Sequence, residues 1–321
     1  MNDSQTRPQA RLSVLLAQAS DVAVILRRGP SKQVLMIRWA RDTDRFYLGQ
    51  WFKGRVYECR CDLSPDGEQL IYFAANQREP HFSWTAISRP PYFTALAYWP
   101  KGDCWGGGGA LTRSGSGPLQ VQLNHRKGQG KRIGKLAPGM KVGPFGEHSG
   151  WGEDSPIHDH LLQRGGWRQS NAGTECKNSH NAPIWITYEP PLTWSRTNPL
   201  APALVLHADL VGIGQRQGPW RVLRHRVTES GELMADIGQS DWADWDRNGD
   251  LLYAVDGKLF RRALLQGRLQ PGRQLVDLSD LRFRELPPSE AAQCWFDPLD
   301  LVPLLHAPAQ VEFQATLPVA P

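Results

Sequence analysis

Short apolar runs separated by turn-forming residues constrain the fold of this chain more than any other feature of its sequence. These runs are five to eight residues long and rich in β-branched and aromatic residues, and Gly, Pro, Asn, Asp or Ser bounds them. The predicted strands are residues 22–26, 34–39, 56–61, 70–74, 93–99, 184–188, 203–210, 220–227, 251–255, 258–263 and 274–278. The 31 Gly and 25 Pro among 321 residues are about 17% of the chain, against roughly 12% in average proteins, and they mark the turns.

Helical patterns are confined to two short segments, residues 11–19 and 289–294. Parallel βαβ folds need a crossover helix between successive strands, and no pattern of that length lies between the predicted strands. Short strands at regular spacing are instead typical of all-β domains. We therefore predict an all-β fold and exclude Rossmann-like folds and TIM barrels.

Three pairs of turn residues indicate hairpins. Asp66-Gly67, Asn248-Gly249 and Asp256-Gly257 each precede or separate apolar runs. Such pairs favour tight turns because Gly, and to a lesser extent Asn and Asp, tolerate positive φ. The last pair separates LLYAV from KLFRRA, and residues 251–263 are accordingly predicted to form a β-hairpin.

Two of these segments carry a family resemblance. SPDGEQLIYF at residues 64–73 resembles the repeat core of TolB-type and WD40-like β-propellers, in which a Ser-Pro-Asp-Gly turn leads into an apolar strand. DWDRNGDLLYAVDGKLFR at residues 244–261 resembles the inner hairpin of the same blades. The chain departs from regular WD40 repeats because no Gly-His pair combines with a Trp-Asp pair in the way those repeats require. The resemblance implies a propeller architecture. The spacing of the turn glycines predicts a small irregular β-propeller, with five blades favoured over six, and the terminal strands are expected to close the ring.

On this basis the chain divides into an N-terminal extension, residues 1–20, and a single propeller domain, residues 21–321. The turn glycines mark successive blades, and the longest gap between them runs from Gly102 to about Gly166. A basic, Gly-rich insertion at about residues 124–156 accounts for that gap. The tail at residues 310–317 alternates Val311, Phe313, Ala315 and Leu317 on one face. We expect it to form a strand that pairs with an N-terminal strand.

The formal net charge of +5 is unevenly distributed. Residues 1–150 carry a net charge of +10, and residues 151–321 carry −5. The five Cys form no CxxC pair, and no apolar run has the length of a signal-peptide core or a membrane span. We expect a cytoplasmic protein with no membrane partner.

The densest positive charge lies between residues 124 and 142, a segment that we call the basic loop. It contains no acidic residue, and its cationic residues are Arg126, Lys127, Lys131, Arg132, Lys135 and Lys141. Such a segment can bind an acidic protein surface or the phosphates of a nucleic acid. No aromatic residue interleaves with these charges, so base stacking on a single strand is not indicated. It could equally be a solvated insertion between blades.

Several tryptophans add a weaker indication of binding. Trp39, Trp99, Trp185 and Trp220 fall in or beside predicted strands, where large rings fill space between sheets. Trp151, Trp167 and Trp194 lie among Gly, Pro and polar residues. We expect these three to be exposed, and exposed Trp is enriched at interface hot spots.

A second polar cluster follows the basic loop. It contains His158, Asp159 and His160, with Glu147, His148, Glu153, Asp154, Cys176 and His180 nearby in the sequence. If His158 and His160 lay on one face of a strand, they could hold a divalent ion together with a carboxylate. The spacing matches no named metal signature, and ordinary polar loop residues are the favoured explanation. Motifs of nucleophilic hydrolases are absent from the sequence, and no cofactor is indicated.

Two further segments have both a structural and a functional explanation. The Gly run of Trp105–Gly109 can admit a ligand close to the backbone, or it can relieve crowding at a strand end. The acidic stretch at residues 236–256 contains six Asp. These Asp can form turns or can face a basic partner.

Together these patterns predict a non-enzymatic binding or scaffold module of a cytoplasmic protein complex that engages its partner through loops. Nucleic-acid binding through the basic loop is one alternative. A metal-dependent, hydrolase-like enzyme that uses His158 and His160 is the other.

Overall fold

β-Strands account for almost half of residues 10–29, 32–179, 181–304 and 312–313, the parts of the chain that the computed structural model describes. The strands up to residue 144 are β1 (Arg11–Leu16), β2 (Val22–Arg28), β3 (Gln33–Ala40), β4 (Arg45–Lys53), β5 (Arg55–Val56), β6 (Asp62–Leu63), β7 (Leu70–Ala75), β8 (Ser83–Ser88), β9 (Ala97–Pro100), β10 (Gly109–Thr112), β11 (Gln120–Leu123), β12 (Ile133–Gly134) and β13 (Lys141–Pro144). One α-helix, α1 (Ser155–Arg164), follows them, and 3₁₀ turns lie at Glu58–Arg60 and Ala291–Gln293.

The remaining strands lie after α1. They are β14 (Arg168–Asn171), β15 (Glu175–Lys177), β16 (Ile184–Thr197), β17 (Leu204–Gln215), β18 (Arg221–Glu229), β19 (Glu232–Gln239), β20 (Trp242–Trp245), β21 (Leu251–Val255), β22 (Lys258–Arg262), β23 (Leu264–Leu265), β24 (Arg268–Leu269), β25 (Gly272–Asp277), β26 (Val302–Pro303) and β27 (Glu312–Phe313). The chain divides into two compact units. The first unit contains Ser13–Leu162 and residues 282–304, and the second contains Gln163–Leu281 with residues 10–12 and 312–313.

Five sheets and one two-stranded hairpin contain the described strands. The strand orders are β1-β2-β3-β4-β26 in the first sheet, β12-β9-β8-β7-β5 with β6 also on β7 in the second, β10-β11-β13 in the third, β14-β16-β17-β18-β19 with β15 also on β16 in the fourth, and β20-β21-β22-β25-β27 in the fifth. The hairpin is β23-β24. Most neighbours are consecutive in the chain and antiparallel, whereas β11 and β13 are parallel. The prediction of an all-β fold is confirmed.

The core of the first unit explains why β7 is apolar throughout. All six residues of β7 are buried. On one face, Leu70 and Tyr72 belong to a cluster that contains Met36 of the first sheet. On the other face, Ile71 belongs to a cluster that contains Val121 of the third sheet. The second sheet is therefore covered on both faces, and its central strand has no solvent side on which polar residues would alternate.

The predicted hairpin at residues 251–263 is confirmed. β21 and β22 pair from Leu251 with Arg262 to Val255 with Lys258, which leaves two residues in the turn. Those residues, Asp256 and Gly257, both have positive φ, 53° and 76°. This is the geometry that a two-residue hairpin of type I′ requires.

Other predictions of secondary structure were wrong. Residues 11–16 form the strand β1 and not a helix, because burial alternates along them, with Leu12 and Val14 inside. The run at residues 56–61 ends as a strand at Val56 and continues as a 3₁₀ turn. Within residues 289–294, only Ala291–Gln293 are helical, as a single 3₁₀ turn.

The C-terminal tail pairs with a different strand from the one expected. Of residues 310–317, only 312 and 313 lie within the described part of the chain. They form β27, which pairs with β25 at Gly272 and Arg273 and not with an N-terminal strand. Val311, Ala315 and Leu317 lie outside the described residues. An earlier C-terminal strand, β26, pairs with β4 in the first sheet.

Candidate binding surface

The Gly run after Trp105 forms the tight connection into β10 in the first unit. A Cβ atom on Gly107 would lie 2.5 Å from the ring of Phe73, and one on Gly108 would lie 2.2 Å from the carbonyl oxygen of Arg60. Both glycines also have positive φ, 80° and 75°. The run therefore relieves crowding at the start of β10. Of the two explanations offered by the sequence, the structure supports this one.

The amide hydrogens of this run are used within the protein. Gly106 N donates to Gly152 O, Gly107 N donates to Asn124 O, and Gly108 N donates to Thr85 Oγ1, each at 2.8 Å. A ligand would therefore find no free N–H group on these three glycines. The bonds instead hold Trp105 beside the Trp151-Gly152 segment and beside the first residue of the basic loop.

Arg60 anchors the other side of the same run. Its side chain is 3% exposed and donates from Nε to Asp154 Oδ1 at 2.6 Å. Its Nη1 donates to the carbonyl oxygens of Cys104 and Gly106 at 2.8 and 2.5 Å. The guanidinium also stacks on Tyr57, with Cζ 4.6 Å from the ring centroid. A buried cation thus fixes the Gly run relative to the segment that leads into α1.

The basic loop begins with two buried, uncharged side chains. Asn124 Oδ1 accepts a hydrogen bond from Gly150 N at 2.6 Å. His125 Nε2 is 2.8 Å from Thr85 Oγ1. Burial, and secondarily the positive charge of Lys101, lowers the pKa of His125 to about 4. His125 is therefore neutral at pH 7, and the positive charge of the loop starts at Arg126.

The structure exposes the side chains of all six predicted binding residues, namely Arg126, Lys127, Lys131, Arg132, Lys135 and Lys141. None of the six forms an ion pair with a carboxylate in the described parts of the chain. All six positive charges are consequently available to a partner.

The loop is attached at four places, three of them through its backbone. Gln129 Nε2 donates to Asp103 Oδ2 at 3.5 Å, and β12 pairs with β9. Trp295 Nε1 donates to Lys135 O at 2.8 Å. Finally, β13 pairs with β11 in the third sheet. These attachments hold the backbone in place while the cationic side chains extend into solvent.

Two exposed indole rings lie next to the start of the loop. Trp105 is 62% exposed and Trp151 is 61% exposed. The Cζ atom of Arg126 lies 4.3 Å from the centroid of the Trp151 ring. We refer to these two rings together with the six cationic side chains as the basic aromatic surface. Sequence reasoning missed this combination because Trp105 and Trp151 lie far from the loop in the chain.

The exposure of the tryptophans agrees only in part with the prediction from their neighbours in the sequence. Trp151 is exposed as expected, but Trp167 and Trp194 are buried, at 4% and 7% exposure. Trp185 and Trp220, which we expected to fill space between sheets, are 47% and 44% exposed. Their rings lie 6.3 Å apart in the second unit.

The structure places His158 and His160 on α1 and not on a strand. Successive helix residues are rotated by about 100°, so residues two apart point in widely different directions. The expected same-face pair on a strand is therefore wrong. Asp154 is bound to Arg60, and His180 lies outside the described residues. Across the described residues, no group of three or more His, Cys, Asp or Glu is placed to hold a metal ion.

Part of the acidic stretch stabilises its own hairpin in the second unit. Arg261 Nη1 donates to Asp250 Oδ2 at 2.7 Å and to Asp246 Oδ2 at 3.2 Å. All three residues are less than 9% exposed. Asp244 pairs with Arg196. These carboxylates are engaged in turns and ion pairs and do not form a free acidic face.

Comparison of the sequence with models of known protein families and with curated proteins finds no match. Among the described residues, no helix has the length and apolar character needed to cross a membrane. The assignment of a function therefore depends on the geometry of the basic aromatic surface.

Proposed function

We propose that this protein is a binding module of a cytoplasmic complex and that it engages an acidic macromolecule through the basic loop. The observation that carries the proposal is the exposure of six cationic side chains, none of them ion-paired with a described carboxylate. Surface cations that already form ion pairs within the protein would add little to the affinity for a partner. In the basic loop, each of the six cations can bind a negative charge of the partner, and counterions are released when it does so.

The attachment of the loop also supports binding. A flexible basic segment loses conformational entropy when it binds, and this loss weakens affinity. The basic loop is already held by β12, by β13, by the hydrogen bond that the Gln129 side chain donates and by the one that the Lys135 carbonyl oxygen accepts. Its backbone therefore needs little ordering on contact with a partner.

The test compares two variants of equal net charge. In the loop variant, Gln replaces all six cationic residues of the basic loop, which lowers the formal charge from +5 by six. In the control variant, Gln replaces six exposed cationic residues of the second unit, namely Arg168, Lys177, Arg216, Arg224, Arg247 and Arg268. Both variants are applied to immobilised heparin and to immobilised polyglutamate, and far-ultraviolet circular dichroism confirms that they fold.

The loop variant should elute at much lower salt than the wild type, and the control variant should elute close to it. Equal elution of the two variants would show that retention depends on net charge alone, and it would contradict a localised binding surface.

We also propose that the five sheets are the blades of a small irregular β-propeller. Three observations support this arrangement. Most strands of each sheet come from one continuous stretch of the chain, the second sheet is covered by the first and the third, and the C-terminal strand β26 joins the N-terminal sheet. A crystal structure with all five sheets around one axis would support the proposal. An open arrangement of the sheets would contradict it.

A further inference from the structure

We propose that the acidic partner of the basic aromatic surface is a single-stranded nucleic acid. This inference rests on the proposed function and narrows it to one class of partner. The bases would stack on the indoles of Trp105 and Trp151, and the phosphates would pair with the cationic side chains of the basic loop. Binding of this kind combines a positively charged track with aromatic platforms.

The position of the two rings favours this partner. The hydrogen bond from Gly106 N to Gly152 O, at 2.8 Å, joins the residue that follows Trp105 to the residue that follows Trp151. The backbones at Trp105 and Trp151 are thereby held close together, and each side chain is about three fifths exposed. Large indoles normally bury their rings, so two adjacent exposed ones mark a contact surface.

The charges at the same place favour a phosphate backbone. Arg126 stacks on Trp151 and continues directly into Lys127, and the other four cationic residues follow along the attached loop. The nearby carboxylate of Asp103 forms its ion pair with Lys101 Nζ at 2.6 Å, and Arg126 attracts it without an ion pair between the two side chains. Positive charge and planar apolar rings therefore occur side by side, as alternating phosphates and bases require.

A single strand fits this surface better than a duplex or an acidic protein. The bases of a duplex are stacked inside the helix and cannot reach an exposed indole, although its phosphates could still bind the cations. An acidic protein would pair with the cations but has no series of flat rings to place on Trp105 and Trp151. The contribution of the two tryptophans thus separates the three partners.

The experiment measures binding of a fluorescein-labelled twelve-nucleotide oligothymidylate by fluorescence anisotropy. Trp105→Ala and Trp151→Ala should each weaken binding by roughly 5- to 150-fold, the range for the loss of one stacked base. Trp185→Ala removes a comparably exposed ring in the second unit, 47% exposed, and should leave the affinity unchanged. If all six cations contact phosphates, the slope of log K against log salt should be about −4 for the wild type.

The outcomes distinguish this inference from the proposed function. Retention of full affinity by Trp105→Ala and Trp151→Ala would overturn the inference, as would equal affinity for the single strand and for a duplex of the same length. Binding to polyglutamate without binding to the oligonucleotide would also overturn it. In each of these cases a heparin elution that still depends on the loop cations would leave the proposed function standing. Loss of that dependence would refute both.

Discussion

Replacement of Gly108 by Ala tests whether the Gly run exists because the backbone is crowded. Gly108 has a φ of +75°, and an added Cβ would lie 2.2 Å from Arg60 O and 2.6 Å from Arg60 Cβ. The neighbouring segment would have to move by almost 1 Å to restore an acceptable contact. Arg60 is the buried cation that joins this run to Asp154, so it cannot move without disturbing those bonds.

Gly102 offers a matched control in the same unit. Its φ is +83°, yet nothing lies within 4 Å of an added Cβ. Both substitutions incur the cost of a left-handed conformation, about 1–2 kcal/mol. Both also gain about 0.4–1 kcal/mol from the reduced entropy of the unfolded chain. Only Gly108→Ala adds steric strain, which costs typically 1–3 kcal/mol when a packed site is overfilled.

We therefore expect Gly102→Ala to lower the free energy of unfolding by about 1 kcal/mol, and Gly108→Ala to lower it by about 2–4 kcal/mol. Urea-induced unfolding followed by far-ultraviolet circular dichroism measures both values, with equal slopes against urea as a check. Equal destabilisation by the two substitutions would show that backbone conformation alone, and not crowding against Arg60, requires glycine in this run.

Two other predictions concern the second unit. Arg261→Leu should lower the free energy of unfolding by about 3–5 kcal/mol, because it leaves the buried carboxylates of Asp246 and Asp250 without their cation; a loss below 1 kcal/mol in urea unfolding would contradict this role. Burial lowers the pKa of His225 to about 4, below the roughly 6.5 of an unfolded chain, so the unfolded state takes up the proton first and stability falls as pH drops from about 6.5 to 4. Urea unfolding at several pH values should show a shallower decline for His225→Gln, and an unchanged decline would assign it to other groups.

Local patterns in the sequence predicted much of the secondary structure. The hairpin of β21 and β22 follows from two apolar runs and an Asp-Gly pair, all within a dozen residues. β2, β3 and β7 lie where β-branched and aromatic residues cluster. In these segments the residues that decide the structure are neighbours in the chain, and their propensities agree with the burial that the fold imposes.

Prediction failed where distant residues decide the local structure. The segment Arg11–Leu16 has an ambiguous pattern, and pairing within the first sheet makes it a strand. Helix α1 contains few apolar residues, and only Ile157 of them is buried. Its sequence therefore lacks the apolar periodicity that would predict a helix. The hypothesis that His158 and His160 share one face and hold a metal ion was wrong because the helix had not been predicted. It assumed a strand where the chain forms a helix.

The sequence by itself determined the all-β class, the type I′ hairpin and the six charges of the basic loop, since each follows from residue types that are close together in the chain. Only the tertiary structure decided which of these charges are free and which rings accompany them. Arg126 stacks on Trp151, and the backbone at Trp105 lies beside them because the Gly run accepts a close backbone approach and because its amide hydrogens bond to Asn124 and Gly152. Hydrogen bonds and steric contacts between distant segments are set by the folded backbone, and no local pattern encodes them.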